Sequence, residues 1–206
     1  MQRIIIAVLA LALIVPIGAI GVFGGFGQNE PSAAPSTGEG VPGASALPSA
    51  DPASQPKPSP TTAPAEPASV RQQNAAGAEA TMRYLLEYYP YMMATGDTKG
   101  WKDSVSPDCR ICTTFIAQSE KLHAEGGYIV GGAFTLKEMQ FAGKGTPPTG
   151  GVVTVPFSEA EQTIIVDVHK QAQKQPAITG TMRGTMSWNG KRWVVADLAL
   201  DKPAAG

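Results

Sequence analysis

Ten of this chain's 18 prolines crowd between Pro31 and Pro67, and that crowding decides where the chain can fold. Each proline fixes φ and removes a backbone donor, so the tract supports neither a helix interior nor a central strand. Ala, Ser, Thr and Gly fill the spaces between them, which leaves too little apolar surface to offset the entropy of ordering. Residues 28–73 therefore read as a disordered linker. Stretched at ~3.1 Å per residue in a polyproline-like form, it reaches on the order of 140 Å.

The linker separates two unlike segments. Ahead of it, Ile4 to Phe26 carries no charged residue and follows Arg3. At ~1.5 Å per helical residue the run is long enough for a hydrocarbon core of ~30 Å. Residues 1–27 read as a signal-anchor, with Arg3 holding the N-terminus inside and everything beyond Gln28 outside. The dense part ends at Pro16 and passes into a Gly-rich tail, so a signal peptide cleaved near Ala19-Ile20-Gly21 is the alternative. Either way the chain is exported: to the cell membrane as a single-pass protein with an extracellular C-terminal domain, or into the medium after cleavage.

Residues 74–203 remain, about 130 positions, enough for one domain that buries roughly two-thirds of its unfolded surface. The net charge of −1 comes from interspersed signs, so there is no basic patch for nucleic acid.

Asn74 is placed to cap a helix in which Met82, Leu85, Leu86, Tyr89 and Met93 form one apolar stripe, with Pro90 inside and Gly96 as its stop. Asp97 begins a short helix carrying Trp101. Ser106-Pro107-Asp108 is set to start another, with Cys109, Cys112, Ile116 and Ser119 on one side. After Gly126-Gly127 the pattern turns to strands: Tyr128–Val130, Phe134–Phe141 with a bulge near Lys137-Glu138, Val152–Phe157, Thr163–His169, and Ile178–Trp188 with Lys191–Leu200. Asn189-Gly190 predicts a two-residue type I′ turn, so Trp188 opposes Lys191 and Met182 opposes Asp197. Helices first and an antiparallel sheet after them make an α+β domain.

This order resembles the nuclear-transport-factor-2-like (cystatin-like) superfamily. More narrowly, the Tyr-rich first helix, Thr95-Gly96-Asp97-Thr98, Ser106-Pro107-Asp108-Cys109-Arg110-Ile111-Cys112 and Glu125-Gly126-Gly127 resemble a family of exported actinobacterial domains of unknown function. The resemblance implies a long helix and shorter helices packed on a curved, cone-shaped sheet with a cavity between, and an exported location. It implies no catalytic residue.

Cys109 and Cys112 carry the chain's only thiols, and compartment decides their meaning. Outside the cell they read as a structural disulfide at a helix start. A helix N-terminus also lowers a thiol pKa, which admits a redox pair. His123 and His169 lie far apart without finger-like spacing, so no metal site is assigned. In the expected register Asp197 shares an apolar face with Met182, Trp193 and Val195, where a raised pKa would suit a general base. The bland reading puts it near the sheet edge or on a Tyr hydroxyl. Tyr84, Tyr88, Tyr89 and Tyr91 either line a pocket or close a small core. Asp167 and His169 share a strand face that reads as solvated.

Tyr88, Trp193 and Asp197 are therefore the candidate ligand pocket, with no catalytic, cofactor or metal residue assigned. The leading functional reading is a non-enzymatic binding or interaction module, membrane-tethered, for an unknown protein or small-molecule ligand of the envelope. The alternatives are an isomerase- or hydrolase-like enzyme with Asp197 as base, and an envelope thiol-disulfide protein.

Overall fold

The structure is a computed structural model and describes residues 47–201. The hydrophobic segment expected at 1–27, the first part of the linker, and the last two residues expected in the domain lie outside the described residues.

Among the described residues three α-helices are followed by eight strands. Helix α1, Ala75–Thr95, begins where Asn74 Oδ1 accepts the Gly77 N–H at 3.0 Å. It stops at Gly96, whose φ of 75° lets its N–H reach Met92 O at 2.9 Å. All five residues of the expected stripe are buried, and Ala78, Tyr84, Tyr88 and Met92 join them. The helix is thus central rather than amphipathic. Between Gly77 and Ala94 only Arg83 and Glu87 are exposed.

Helix α2, Lys99–Ser104, starts under Asp97, whose carboxylate accepts the Lys99 N–H at 2.9 Å. Helix α3, Arg110–Ala124, starts later than the sequence suggests. Ser106 closes a turn through Cys109 N–H to Ser106 O (3.0 Å), and the residue that caps the helix is Cys109, whose sulfur accepts the Cys112 N–H at 3.3 Å. Cys109 and Cys112 form a disulfide, with Cα atoms 5.2 Å apart. Helix α3 then serves the C-terminal end of α1: Ser119 Oγ donates to Met92 O at 3.0 Å, and His123 Nε2 bonds Met93 O at 3.1 Å.

The strands are β1 Tyr128–Gly131, β2 Phe134–Leu136, β3 Gln140–Lys144, β4 Gly150–Glu159, β5 Gln162–Ile165, β6 Gln173–Gln175, β7 Ile178–Trp188 and β8 Trp193–Asp201. They form two antiparallel sheets, β1-β5-β6 and β2-β4-β7-β8, with β3 continuing β2's pairing along β4. The bulge expected at Lys137-Glu138 is present: Leu136 pairs with Phe157 and Gln140 with Thr154, so Lys137–Met139 face only Val155 and Pro156. Strand β5 ends at Ile165. Asp167 and His169 belong to a turn rather than a strand, with Asp167 Oδ1 accepting the His169 N–H at 2.9 Å.

The last hairpin differs from expectation in a way that matters later. Asn189 does not head a two-residue turn. Its Oδ1 accepts from Lys191 N (3.1 Å) and Arg192 N (3.0 Å), which widens the loop to Asn189–Arg192, and Trp188 pairs with Trp193. The two indoles then meet edge to face at 5.8 Å. A second departure follows. Met186 pairs with Val195 and Thr185 with Asp197, leaving Ala196 as an extra residue in β8.

From Pro48 onward the tract expected as linker is part of the folded unit. Ser49 bridges Lys170, with Ala50 N–H on His169 O at 2.9 Å and Gln171 N–H on Pro48 O at 2.8 Å. Tyr128 Oη donates to Pro56 O at 2.8 Å, and Trp193 Nε1 donates to Gln72 O at 2.8 Å. Val70 is fully buried. Proline lacks an N–H but keeps its carbonyl, so an extended Pro-rich segment can still be held by donors on the domain. Composition alone does not display those donors.

Gly77 shows how closely this strap lies on α1. A Cβ there would sit 2.8 Å from Ser69 O and 3.0 Å from the Trp193 ring. Gly77→Ala is therefore expected to cost ~1–3 kcal/mol, as overpacking does, and to speed proteolysis within residues 57–73. Urea unfolding and limited proteolysis check this; unchanged stability and protection would mean the strap is not packed as described.

Candidate functional site

The three residues nominated for a pocket occupy three different surroundings. Tyr88 is buried on α1 between the rings of Tyr84 (5.6 Å) and Tyr91 (5.2 Å), with Gly100 of α2 against it. Burial pushes its phenol up to about 12, with the Gly100 backbone bond acting the other way. Beside it Asp97 accepts from Tyr91 Oη at 3.0 Å, and the Lys99 N–H holds its carboxyl below the ordinary range. Trp193 is fully buried against Phe141 (5.4 Å), Trp188 and Gln72. Asp197 is exposed.

The bulge at Ala196 explains Asp197. Trp193 and Val195 point inward ahead of it, Leu198 points inward after it, and the carboxylate turns out to solvent opposite exposed Thr185. One extra residue reverses every later side chain in a strand. The face that carries Trp193 is thus not the face that carries Asp197.

The buried carboxyl is Glu159. Along β4, Val153, Val155, Phe157 and Glu159 all point inward, and Glu159 is only 3% exposed. Extending the alternation of Val153, Val155 and Phe157 by two positions reaches it, but the expected strand stops at Phe157. Its Oε1 has no hydrogen-bond partner, and neither has the Oε1 of Gln162, 5% exposed at the start of β5. Both oxygens lie 3.3 Å from where a Gly132 Cβ would be. Tyr89 of α1 completes the group. Its hydroxyl is buried without a partner, and its ring stacks edge-on with Phe115 (5.5 Å) and Phe134 (5.9 Å). Burial raises both acids: Tyr89 well above the ordinary phenol range, with Glu159 pushing the same way, and Glu159 to about 7.

The opposite face of the larger sheet is open in another sense. Pro156 and Ser158 of β4, Thr179, Gly180 and Thr181 of β7, Lys137 from the bulge and Asp201 at the end of β8 line a groove of about 620 Å³. Thr181 stands opposite both Pro156 and Asp201, and Ser158 stands opposite Thr179 and Thr135, so hydroxyls form cross-strand rows here. Asp201 is held by Arg183 at 2.8 Å. None of these residues stands out in the sequence, because alternating Thr and Ser mark any solvated strand face.

Among the described residues no group of three or more His, Cys, Asp or Glu is arranged to hold a metal, and no helix is long and apolar enough to cross a membrane. Both thiols are spent in the disulfide.

Two antiparallel sheets around one buried helix, with a disulfide at the third helix, define the class of domain. Residues 49–199 match the model of a family of unknown function, DUF6318, and the chain belongs to that family. The match begins at Ser49, inside the Pro-rich tract. No curated protein matches the chain. Among solved structures, the crystal structure of the intermembrane space region of chloroplast protein ARC6 is similar over 63% of this chain and 98% of its own, with a TM-score of 0.48 at 12% identity.

Two measurements follow from the site. The folded protein keeps the Glu159 proton to about pH 7, against 4.5 ordinarily, so the fold binds more protons in that window. Its contribution to stability is full below the ordinary value and is lost as pH rises through 7, by on the order of 3 kcal/mol. Glu159→Gln should flatten this part of the pH–stability curve in urea titrations and be the more stable protein at pH 8; an unchanged slope would clear Glu159 of the effect. Replacing both Cys109 and Cys112 by Ser should cost about 2 kcal/mol, the loop entropy of so short a ring. It should also loosen Trp101, whose Nε1 donates to Cys112 O at 3.1 Å, seen as a red-shifted indole emission; wild-type stability and emission would contradict this.

Proposed function

We propose that this chain is an exported, non-enzymatic binding module, held at the cell membrane by residues 1–27 with its domain outside. We further read the fold as nuclear-transport-factor-2-like, of the kind found in exported actinobacterial domains. Helix α1 lying against strands of both sheets supports that reading of the fold. The disulfide supports the location, since such bonds persist in oxidising compartments.

The observation that carries the function is the groove on the open face of the sheet. Its lining of hydroxyls, one Lys and one Asp, on rigid paired strands, suits recognition of a polar protein or small-molecule ligand of the envelope better than chemistry. Asp197 turns its carboxylate out to solvent, away from the apolar face on which the enzymatic reading set it. The buried Glu159 does not replace it, being shut off from solvent.

Co-sedimentation of the full-length protein with envelope isolated from its own cells tests this. Wild type should co-sediment, and the pair Thr179→Arg with Thr181→Arg should lose binding about tenfold or more while folding normally, since both side chains face outward. Equal binding by both proteins moves the site elsewhere, and absence of binding by wild type removes the proposal. Protease added to intact cells should digest the domain and spare a cytosolic protein; protection of the domain would place it inside.

A further inference from the structure

We propose that Glu159 is a protonated carboxylic acid in the folded protein, that it donates its hydrogen to Gln162 Oε1, and that this bond latches the two sheets together at Gly131-Gly132. The geometry requires a donor beyond the Tyr89 hydroxyl, whose single hydrogen serves one acceptor and no more. Two acceptor oxygens, Glu159 Oε1 and Gln162 Oε1, converge on the same glycine, both buried and both without a partner. Gln162 Nε2 donates to Gln175 Oε1 at 2.8 Å, and its Oε1 is the atom on the Gly132 side. With a carboxylate here, Glu159 Oε1 and Gln162 Oε1 share at most the one Tyr89 hydrogen and a buried acceptor is left over, whereas a carboxylic acid supplies the missing hydrogen.

The latch sits where the sheets part company. Glu159 ends β4 of the larger sheet, and Gln162 begins β5 of the smaller. Across from them β1 ends at Gly131, and β2 starts at Phe134. Gly131 and Gly132 have φ of 91° and 70°, a conformation that side chains rarely adopt. A side chain at Gly131 would also collide with the Glu161 carbonyl. Two backbone bonds hold the crossing: Gly132 N–H to Glu161 O at 3.2 Å and Ala160 N–H to Ala133 O at 3.0 Å.

Among the described residues Tyr89 of α1 couples to Glu159, while Glu161 lies in the β4–β5 turn and Lys174 in β6. Glu161 and Lys174 pair with each other at 2.9 Å. Among the described residues no cation is paired with Glu159, and burial alone acts on it. Ionisation therefore puts an unpaired charge in the core, and the junction opens to hydrate it. The two-glycine crossing is the element that yields. Mildly acidic surroundings keep the domain closed, and mildly alkaline ones loosen it between the sheets.

Carboxyl-detected NMR of the full-length protein, with hydrogen exchange at Gly132 and Ala160, tests the latch. Glu159 should titrate well above free glutamate. Protection of the two amides, corrected for the pH dependence of free-chain exchange, should fall about tenfold or more on passing through that midpoint. Glu159→Gln should abolish the pH dependence of protection. Gln162→Leu should lower the Glu159 midpoint, because it removes the acceptor that favours the neutral acid. Titration of Glu159 in the ordinary glutamate range, a midpoint raised by Gln162→Leu, or protection indifferent to pH would each overturn the proposal.

Discussion

The burial of α1 is the constraint on which everything else rests. A helix hidden on nearly every side must be enclosed by more than one layer, and here α2, α3, both sheets and the Pro-rich strap all contribute. Its large residues, Met82, Leu85, Leu86, Met92 and Met93, are at most 2% exposed, so each fills space that the surrounding elements must match. Its two ends are tied in different ways. At the N-terminus Asn74 caps the helix and Gly77 gives up its side chain to the strap, while at the C-terminus α3 lends Ser119 and His123 to the carbonyls of Met92 and Met93. The disulfide acts one step further out. It caps α3 and presents the Cys112 carbonyl to Trp101, whose ring meets Phe115 at 5.8 Å and Tyr89 at 6.0 Å, back on the central helix.

Two faces of the larger sheet take opposite roles as a result. The inner face meets α1 and carries a single acid, Glu159, at the one place where the sheets cross over. Among the described residues the outer face carries rows of Thr and Ser, and there the groove lies. The groove on one face and the buried Glu159 on the other are separate features of one fold, since Phe157 and Glu159 alternate with Pro156 and Ser158 along the same strand.

Local signals in the sequence were reliable where a single residue acts on its own backbone. Asn74, Gly96 and the apolar stripe of α1 appear as expected, and so does the bulge between Leu136 and Gln140. The sequence was a poor guide where one residue's side chain redirects a longer stretch. Asn189 bonding to Lys191 and Arg192 changed the hairpin register, and the bulge at Ala196 then turned Asp197 outward; no alternation rule registers either. Glu159 was within reach of such a rule, two positions beyond Phe157. The strap was not, because what orders Pro48–Gln73 is a set of donors more than 70 positions away, such as Tyr128 to Pro56 and Trp193 to Gln72. The groove was hidden for the opposite reason: its Thr and Ser residues look like any wet strand face.

Native-state hydrogen exchange on the full-length protein tests most directly whether α1 is enclosed in this way. The amides of Leu85, Leu86 and Met92 should exchange only through global unfolding, and those of Ala50, Val70 and Gln72 in the strap should be protected well above free-chain rates. Strap amides exchanging as an unstructured chain, or α1 amides opening well below the global free energy, would contradict the account.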